Sequence, residues 1–205
     1  MKKIISLVVL YPLCIAIFYT ATKHNFSSWY KNPKSIYFAI SFVGFLFLFY
    51  KKMLFSSFYS TLRHELCHWL FSVLSFSKPY SIQINPDGSG HYQHIGKGNY
   101  FLTLAPYFFP ITSFSLLLAS VVFQKPITIY FIIMGLALAF DVVSMFKDYH
   151  FQQTDWNKNG ILFSVQFSVL MFIIMLMFYF TILFGGFHEA WNLIKTTFFT
   201  IKKII

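Results

Sequence analysis

Acid is what this sequence has least of: 205 residues carry only six Asp and Glu against sixteen Lys and Arg, and charged residues make up 11% of the chain. A soluble domain needs about 25% charged residues to keep its surface solvated. An ordinary soluble fold is therefore excluded, and the chain is expected in a lipid bilayer. Cysteine is almost as scarce. Cys14 and Cys67 both stand inside apolar runs, which argues against a disulfide framework and leaves the redox compartment undetermined. There is no nucleotide-binding glycine loop, which argues against an ATP-driven pump. Internal repeats and low-complexity tracts are also missing. What fills the chain is apolar surface: 57% hydrophobic residues, 29 Phe, 13 Tyr and a mean hydropathy of +0.63, which excludes a disordered, solvating segment. The net charge of +10 would suit nucleic acid. Its lysines, however, come in ones and twos at the edges of apolar runs, the pattern of anchors against anionic headgroups, so nucleic acid is set aside as a partner.

A helix needs about 20 apolar residues to cross a bilayer. Six runs approach that length: Ile4 to Thr20, Ser35 to Tyr50, Met53 to Phe76, Tyr100 to Phe123, Ile127 to Phe146 and Gly160 to Phe184. The expected fold is an all-α polytopic membrane protein of about six transmembrane helices. Lys2 and Lys3 before the first run resemble the start of a secretory signal, but the run is long and no small-residue cleavage site follows, so it is kept as a span. Lys51 and Lys52 alone separate the second and third runs, which demands a tight reversal or one bent helix. Between the third and fourth runs, Ile82 and Ile84 alternate with polar residues and Pro86-Asp87-Gly88 signals a turn, which predicts a β-hairpin over 80–94. The tail 186–205 sets Trp191, Leu193, Ile194, Phe198 and Phe199 beside Lys195, Lys202 and Lys203, the pattern of an amphipathic helix on the membrane interface. Lysines divide too evenly between the two sides for the positive-inside rule to orient the chain.

Within the third run stands Arg63-His64-Glu65-Leu66-Cys67-His68, a His-Glu-x-x-His sequence on a segment that must be helical. On a helix, His64 and His68 share one face a turn apart and can present imidazole nitrogens to one metal ion, with Glu65 beside them to act on its water. This is the zinc metalloprotease signature, in which the carboxylate is the general base. From the composition, the pattern arises by chance about once in 400 such chains. An acidic residue at the centre of a membrane helix costs about 2.5–3.5 kcal/mol, which a bound dication would offset. A catalytic zinc needs a third protein ligand. Asp141 lies inside the fifth run, at a depth of about 8 Å against about 12 Å for His68 when counted along the helices. Asp155 heads the last run, where its ordinary role is a helix cap. Asp87 reads as a turn former, Asp148 and His150 as solvated loop, and His91 and His94 as hydrated hairpin residues within reach of a metal.

A His-Glu-x-x-His helix among transmembrane runs, followed by a β-hairpin and then by further spans with an aspartate, resembles the site-2 protease family of intramembrane zinc metalloproteases. The resemblance covers Met53 to Phe184, so the chain divides into two leading spans (1–52), a metalloprotease-like core (53–185) and the tail (186–205). It implies that His64, His68 and an aspartate from a later helix bind Zn2+ and that Glu65 is the base. The family's Asn-x-x-Pro and Leu-Asp-Gly signatures are absent, and Cys67 stands where Gly is commonest. By connectivity Asp141 is the third ligand. By local sequence, His150-Phe-Gln-Gln-Thr-Asp155-Trp156 resembles small bacterial members and favours Asp155, with Asp141 the alternative. Leu104-Ala105-Pro106-Tyr107 resembles the same members and is expected to matter for packing.

The expected activity is hydrolysis of peptide bonds in or near transmembrane segments of other membrane proteins, at a prokaryotic plasma membrane. A helical substrate hides its carbonyls and must be unwound. The exposed hairpin edge between Tyr80 and Gln93, with Ser81, Ile82, Gln83 and Ile84 as substrate-binding residues, could take it up as an added strand. The alternative is a membrane protein that binds or transports metal without hydrolysis. Glu65 separates the two readings, because hydrolysis needs it unligated.

Overall fold

A computed structural model describes residues 2–24, 29, 31–54, 56–85, 87–96, 98–120, 127–149 and 153–204. It is mostly helical. In chain order the elements are α1 (Lys2–His24), α2 (Lys34–Tyr50), α3 (Ser57–Leu74), β1 (Lys78–Ile84), β2 (Gly90–Ile95), α4 (Tyr100–Leu104), a 3-10 turn (Ala105–Tyr107), α5 (Ile111–Ala119), α6 (Thr128–Asp148), α7 (Thr154–Asn159) and α8 (Ile161–Ile204).

Two helix pairs frame the molecule. α2 packs most extensively on α6, and α1 on α8. Both pairs run parallel: Lys34 lies over the Phe131 ring at one end and Phe49 meets Phe140 near the other, while Lys3 lies over Phe163 and Trp29 meets Phe180. The α2–α6 contact depends on Gly135, where an added Cβ would come within 2.6 Å of the Phe38 carbonyl oxygen and 2.9 Å of the Phe42 nitrogen. Such backbone-to-backbone approach is how helices associate when lipid removes the hydrophobic drive between them. α5 touches both α6 and α8, α3 packs on the α4–α5 segment, and the hairpin packs on α3. One core cluster joins Leu10, Cys14 and Ile17 of α1 to Tyr107, Phe108, Trp156 and Phe167.

Among the described residues two helices are long and apolar enough to cross a membrane, Thr128–Asp148 and Ile161–Lys202, and the bent pair Tyr100–Tyr107 with Ile111–Ala119 makes a third if it is one span. This is fewer than the six runs of the sequence, for identifiable reasons. The fourth run does not continue as one helix, because Pro106 and Pro110 cannot donate the backbone bonds that would carry it through, and it turns by 87°. The third forms only the 18 residues of α3, interrupted on its buried side by Arg63, Glu65 and His68. α1 and α2 contribute shorter apolar stretches, Ser6–Thr22 and Lys34–Tyr50. α2 ends at Lys51 and Lys52, with Lys52 at φ 59, so the second and third runs are separate helices.

The hairpin forms as expected, antiparallel, with Ser81 opposite Gln93, Ile82 opposite Tyr92, Gln83 opposite His91 and Ile84 opposite Gly90. Asp87 closes its turn by accepting from the Ser89 backbone N–H at 2.8 Å. The tail is helical beyond a kink at Gly186 (φ 80, ψ 178). It does not rest wholly outside the protein: Ala190, Leu193 and Thr197, spaced on one face, are buried, and Leu193 joins the α1 cluster, while Trp191, Ile194, Phe198 and Phe199 stay exposed.

Candidate metal centre

α3 carries His64 and His68 on one face, as their four-residue spacing requires. Their Nε2 atoms are 3.2 Å apart. Asp155 brings Oδ2 to 3.4 Å from His68 Nε2 and 3.8 Å from His64 Nε2. Among the described residues these three form the group of side chains able to hold a metal ion, with ligand atoms within 4.8 Å of one another.

The other ring nitrogens are already committed. His68 Nδ1 lies 2.9 Å from the Leu102 carbonyl oxygen, and His64 Nδ1 lies 2.9 Å from Asp148 Oδ2. A carbonyl and a carboxylate only accept, so each Nδ1 is the donor in its pair and each ring turns its Nε2 inward. Two imidazole nitrogens and a carboxylate oxygen thus face one another, an arrangement that a cation between them would suit. Ligand atoms on a tetrahedral zinc at about 2.0–2.1 Å stand about 3.3 Å apart, close to the spacing found here. The residues present therefore fit a divalent metal, and their donor chemistry does not by itself single out zinc from other metals that imidazole and carboxylate bind.

Asp155 reaches the site because α7 is pinned. Trp156 is buried against Tyr107 and Tyr149, at 5.5 Å and 5.1 Å between ring centroids. Asn159 donates to Thr103 Oγ1 at 2.7 Å and receives Lys3 Nζ on its carbonyl at 2.6 Å. Gln153, not Asp155, occupies the cap position, so Asp155 is free to turn inward from the first turn. Burial pushes the Asp155 carboxyl up, but hydrogen bonding with His64 and His68 outweighs it and holds the group well below the usual carboxylate range. Tyr107 adds a 3.4 Å hydrogen bond from its hydroxyl to Asp155 Oδ2.

Asp141 is elsewhere. Fully buried, it accepts from Ser113 N–H and Ser113 Oγ at 2.8 Å each and from Thr112 N–H at 3.3 Å. α5 begins after Pro110 without a side-chain cap of its own, and Asp141 supplies one from α6. A carboxylate among transmembrane residues thus has a structural reason in its place.

Asp148 is not a solvated loop residue. Its Oδ2 also takes Arg63 Nη2 at 2.7 Å, and Arg63 Nη1 donates to the Pro106 carbonyl at 3.1 Å. Arg63, the chain's one arginine, thus fixes the carboxylate that orients His64. The Leu104–Tyr107 segment, expected to serve packing, also touches the centre's chemistry through the Pro106 carbonyl and the Tyr107 hydroxyl. The motif-adjacent position of the sole arginine was the available signal for this arrangement. His150 lies outside the described residues.

A cavity of about 220 Å³ opens at the centre, lined by His64, Glu65, His68 and Asp155 and covered by β2 through Gly90, His91, Tyr92 and His94. Tyr92 stacks between His68 and His94, 5.9 Å from each. Ser81, Ile82, Gln83 and Ile84 of β1 do not line this cavity. Glu65 is buried in its wall beside the histidines, outside the three-ligand group.

No protein-family model, curated protein or solved structure matches this chain.

Proposed function

We propose that the chain is a membrane-embedded zinc metallopeptidase, similar to the site-2 protease family, that hydrolyses peptide bonds in or near membrane segments of other proteins. The observation that carries this reading is the convergence of His64 Nε2, His68 Nε2 and Asp155 Oδ2 beside a glutamate that is not one of the three. Three protein ligands leave the fourth position of a zinc ion open, as a catalytic site requires. Bound there, zinc would supply Lewis acidity, polarising the scissile carbonyl and lowering the pKa of water toward about 7. Glu65 then takes a proton from the attacking water on its carboxylate and delivers it to the leaving amine nitrogen. Asp148 and the Leu102 carbonyl keep the imidazoles in the tautomer the reaction needs. The substrate strand is best placed along the edge of β2, which covers the cavity; the Ser81–Ile84 stretch of β1 acts by holding that strand in register. In this reading the chain is multi-pass in a prokaryotic plasma membrane, with α1, α2 and the bent α4–α5 pair crossing beside α6 and α8, and with α3 shielded among them to complete six.

Glu65→Gln tests it. The variant should keep its metal and lose cleavage of a membrane-protein substrate in detergent or proteoliposomes. Loss of metal from the variant would make Glu65 a ligand and favour the non-hydrolytic metal-binding or transport reading; undiminished cleavage would remove Glu65 as the base.

A further inference from the structure

A second cavity, which shares no lining residue with the one at the candidate metal centre, has a different character. It is a groove of about 840 Å³ between the C-terminal halves of α2 and α6, walled by Val43, Phe47, Val142 and Phe146, with Lys52 and Lys147 at its mouth. The volume falls in the range of roughly 300–1,000 Å³ typical of sites for small ligands. Its origin is in the helix packing: Gly135 draws the two backbones together at Ser41 and Phe38, and the bulkier Phe47 and Phe146 further along hold the surface open.

The walls and the mouth ask for one kind of occupant. Val43, Phe47 and Phe146 are more than half exposed, which only hydrocarbon can cover favourably. One cation, Lys52, comes from the turn after α2 and the other, Lys147, from the last turn of α6; both line the groove, and a third, Lys51, lies beside it over the Phe47 ring at 5.9 Å. Lys52 reaches its position from a left-handed backbone conformation, φ 59, that a residue with a Cβ adopts at some cost. An elongated apolar groove closed by paired positive charge matches a molecule with acyl chains at one end and a phosphate at the other. A second protein chain would match the apolar walls and leave the lysines facing each other; a free phosphate would match the lysines and leave the walls bare.

We propose that this groove is a binding site for an anionic phospholipid of the surrounding bilayer, its acyl chains along α2 and α6 and its phosphate between Lys52 and Lys147. Basic pockets between membrane helices bind anionic headgroups in this way. The site is separate from the metal centre and does not depend on the activity proposed there.

Native mass spectrometry of the detergent-purified full chain, titrated with phosphatidylglycerol or phosphatidylcholine, tests it. The wild-type chain should retain one phosphatidylglycerol in clear preference to phosphatidylcholine. Each lysine at a membrane surface contributes about fivefold to anionic-lipid affinity, so Lys52→Asn with Lys147→Gln should weaken retention by about 30-fold. Asn suits the positive φ at position 52, so this variant should fold. Val43→Trp, which fills the groove without touching either charge, should also lose the lipid. Equal retention of the two lipids, or retention unchanged in the lysine variant, would overturn the site. So would displacement of the lipid by inorganic phosphate at comparable concentration, which would mean that the lysines alone bind, or dimerisation abolished by Val43→Trp, which would make the groove a contact between copies. Unchanged metal content in each variant verifies the fold separately.

Discussion

Gly90, the first residue of β2, lies directly over Glu65: a Cβ at position 90 would come within 2.5 Å of Glu65 Oε1. The turn beside it is held by Thr61 Oγ1, which donates to the Gly88 carbonyl at 2.6 Å. The strand that covers the cavity is thus set in register with the motif helix by close contact with the motif glutamate itself.

Gly90→Val should therefore displace either the strand or the Glu65 carboxylate while leaving the ligand face of α3 intact. Cleavage should fall by about 100-fold, as misplacement near a reacting centre commonly costs, with bound metal unchanged. Measuring turnover and metal content on the same preparation checks this; full activity in the valine variant would mean that the strand's position over Glu65 is irrelevant to chemistry.

The two aspartates should separate cleanly. Asp155→Ala leaves two protein ligands, so metal stoichiometry should drop well below one per chain. Asp141→Ala removes the acceptor of three hydrogen bonds at the start of α5. It should cost about 2 kcal/mol or more of stability and leave the metal in place. Elemental analysis beside denaturation curves reads both, and metal lost from the Asp141 variant but kept by the Asp155 variant would reverse the assignment.

Asp148→Asn should weaken metal affinity by about 10- to 100-fold without abolishing it, because Asp148 orients His64 and does not enter the ligand set. It also leaves Arg63 buried without its carboxylate partner, which should lower stability by about 3–5 kcal/mol. Competitive metal titration on folded variant is the relevant measurement. An affinity equal to wild type would show that the Leu102–His68 and Asp155 arms alone determine the site.

Chelation followed by dialysis should abolish cleavage, and added zinc should restore it, since the proposed activity rests on a metal held by His64, His68 and Asp155. Substitution of both His64 and His68 by alanine should prevent that recovery. Cleavage that survives metal removal would end the metallopeptidase reading.

Much of this was legible in local pattern. The lack of acid and the abundance of Phe demanded a bilayer. The four-residue spacing of His64 and His68 placed them on one helical face whatever the surroundings, and alternation about Ile82 and Ile84 with the Asp87-Gly88 turn specified the hairpin. Each depends on a period or a turn chemistry that acts within a few residues. The break in the fourth run was written in Pro106 and Pro110 and was masked by the length of its apolar composition.

The partners of the carboxylates needed the tertiary structure. Asp141 and Asp155 both follow the motif; Asp141 could be counted to a suitable depth, and Asp155, at the head of the last run, was favoured by its local sequence. Which one turns to His64 and His68 depends on how α6 and α7 are rotated against α3. α6, apolar nearly all round, has no polar face from which to read that rotation, and the six residues of α7 are too few to show a periodic face. Packing decides it: Gly135 against α2 commits α6, leaving Asp141 at the start of α5, while Trp156 between Tyr107 and Tyr149 commits α7 and brings Asp155 inward. The sequence by itself determined that His64 and His68 share a helical face and that the chain is rich enough in apolar runs for a membrane; which carboxylate joins the two histidines, and the Arg63–Asp148 pair that orients His64, were decided by contacts between segments more than 80 residues apart.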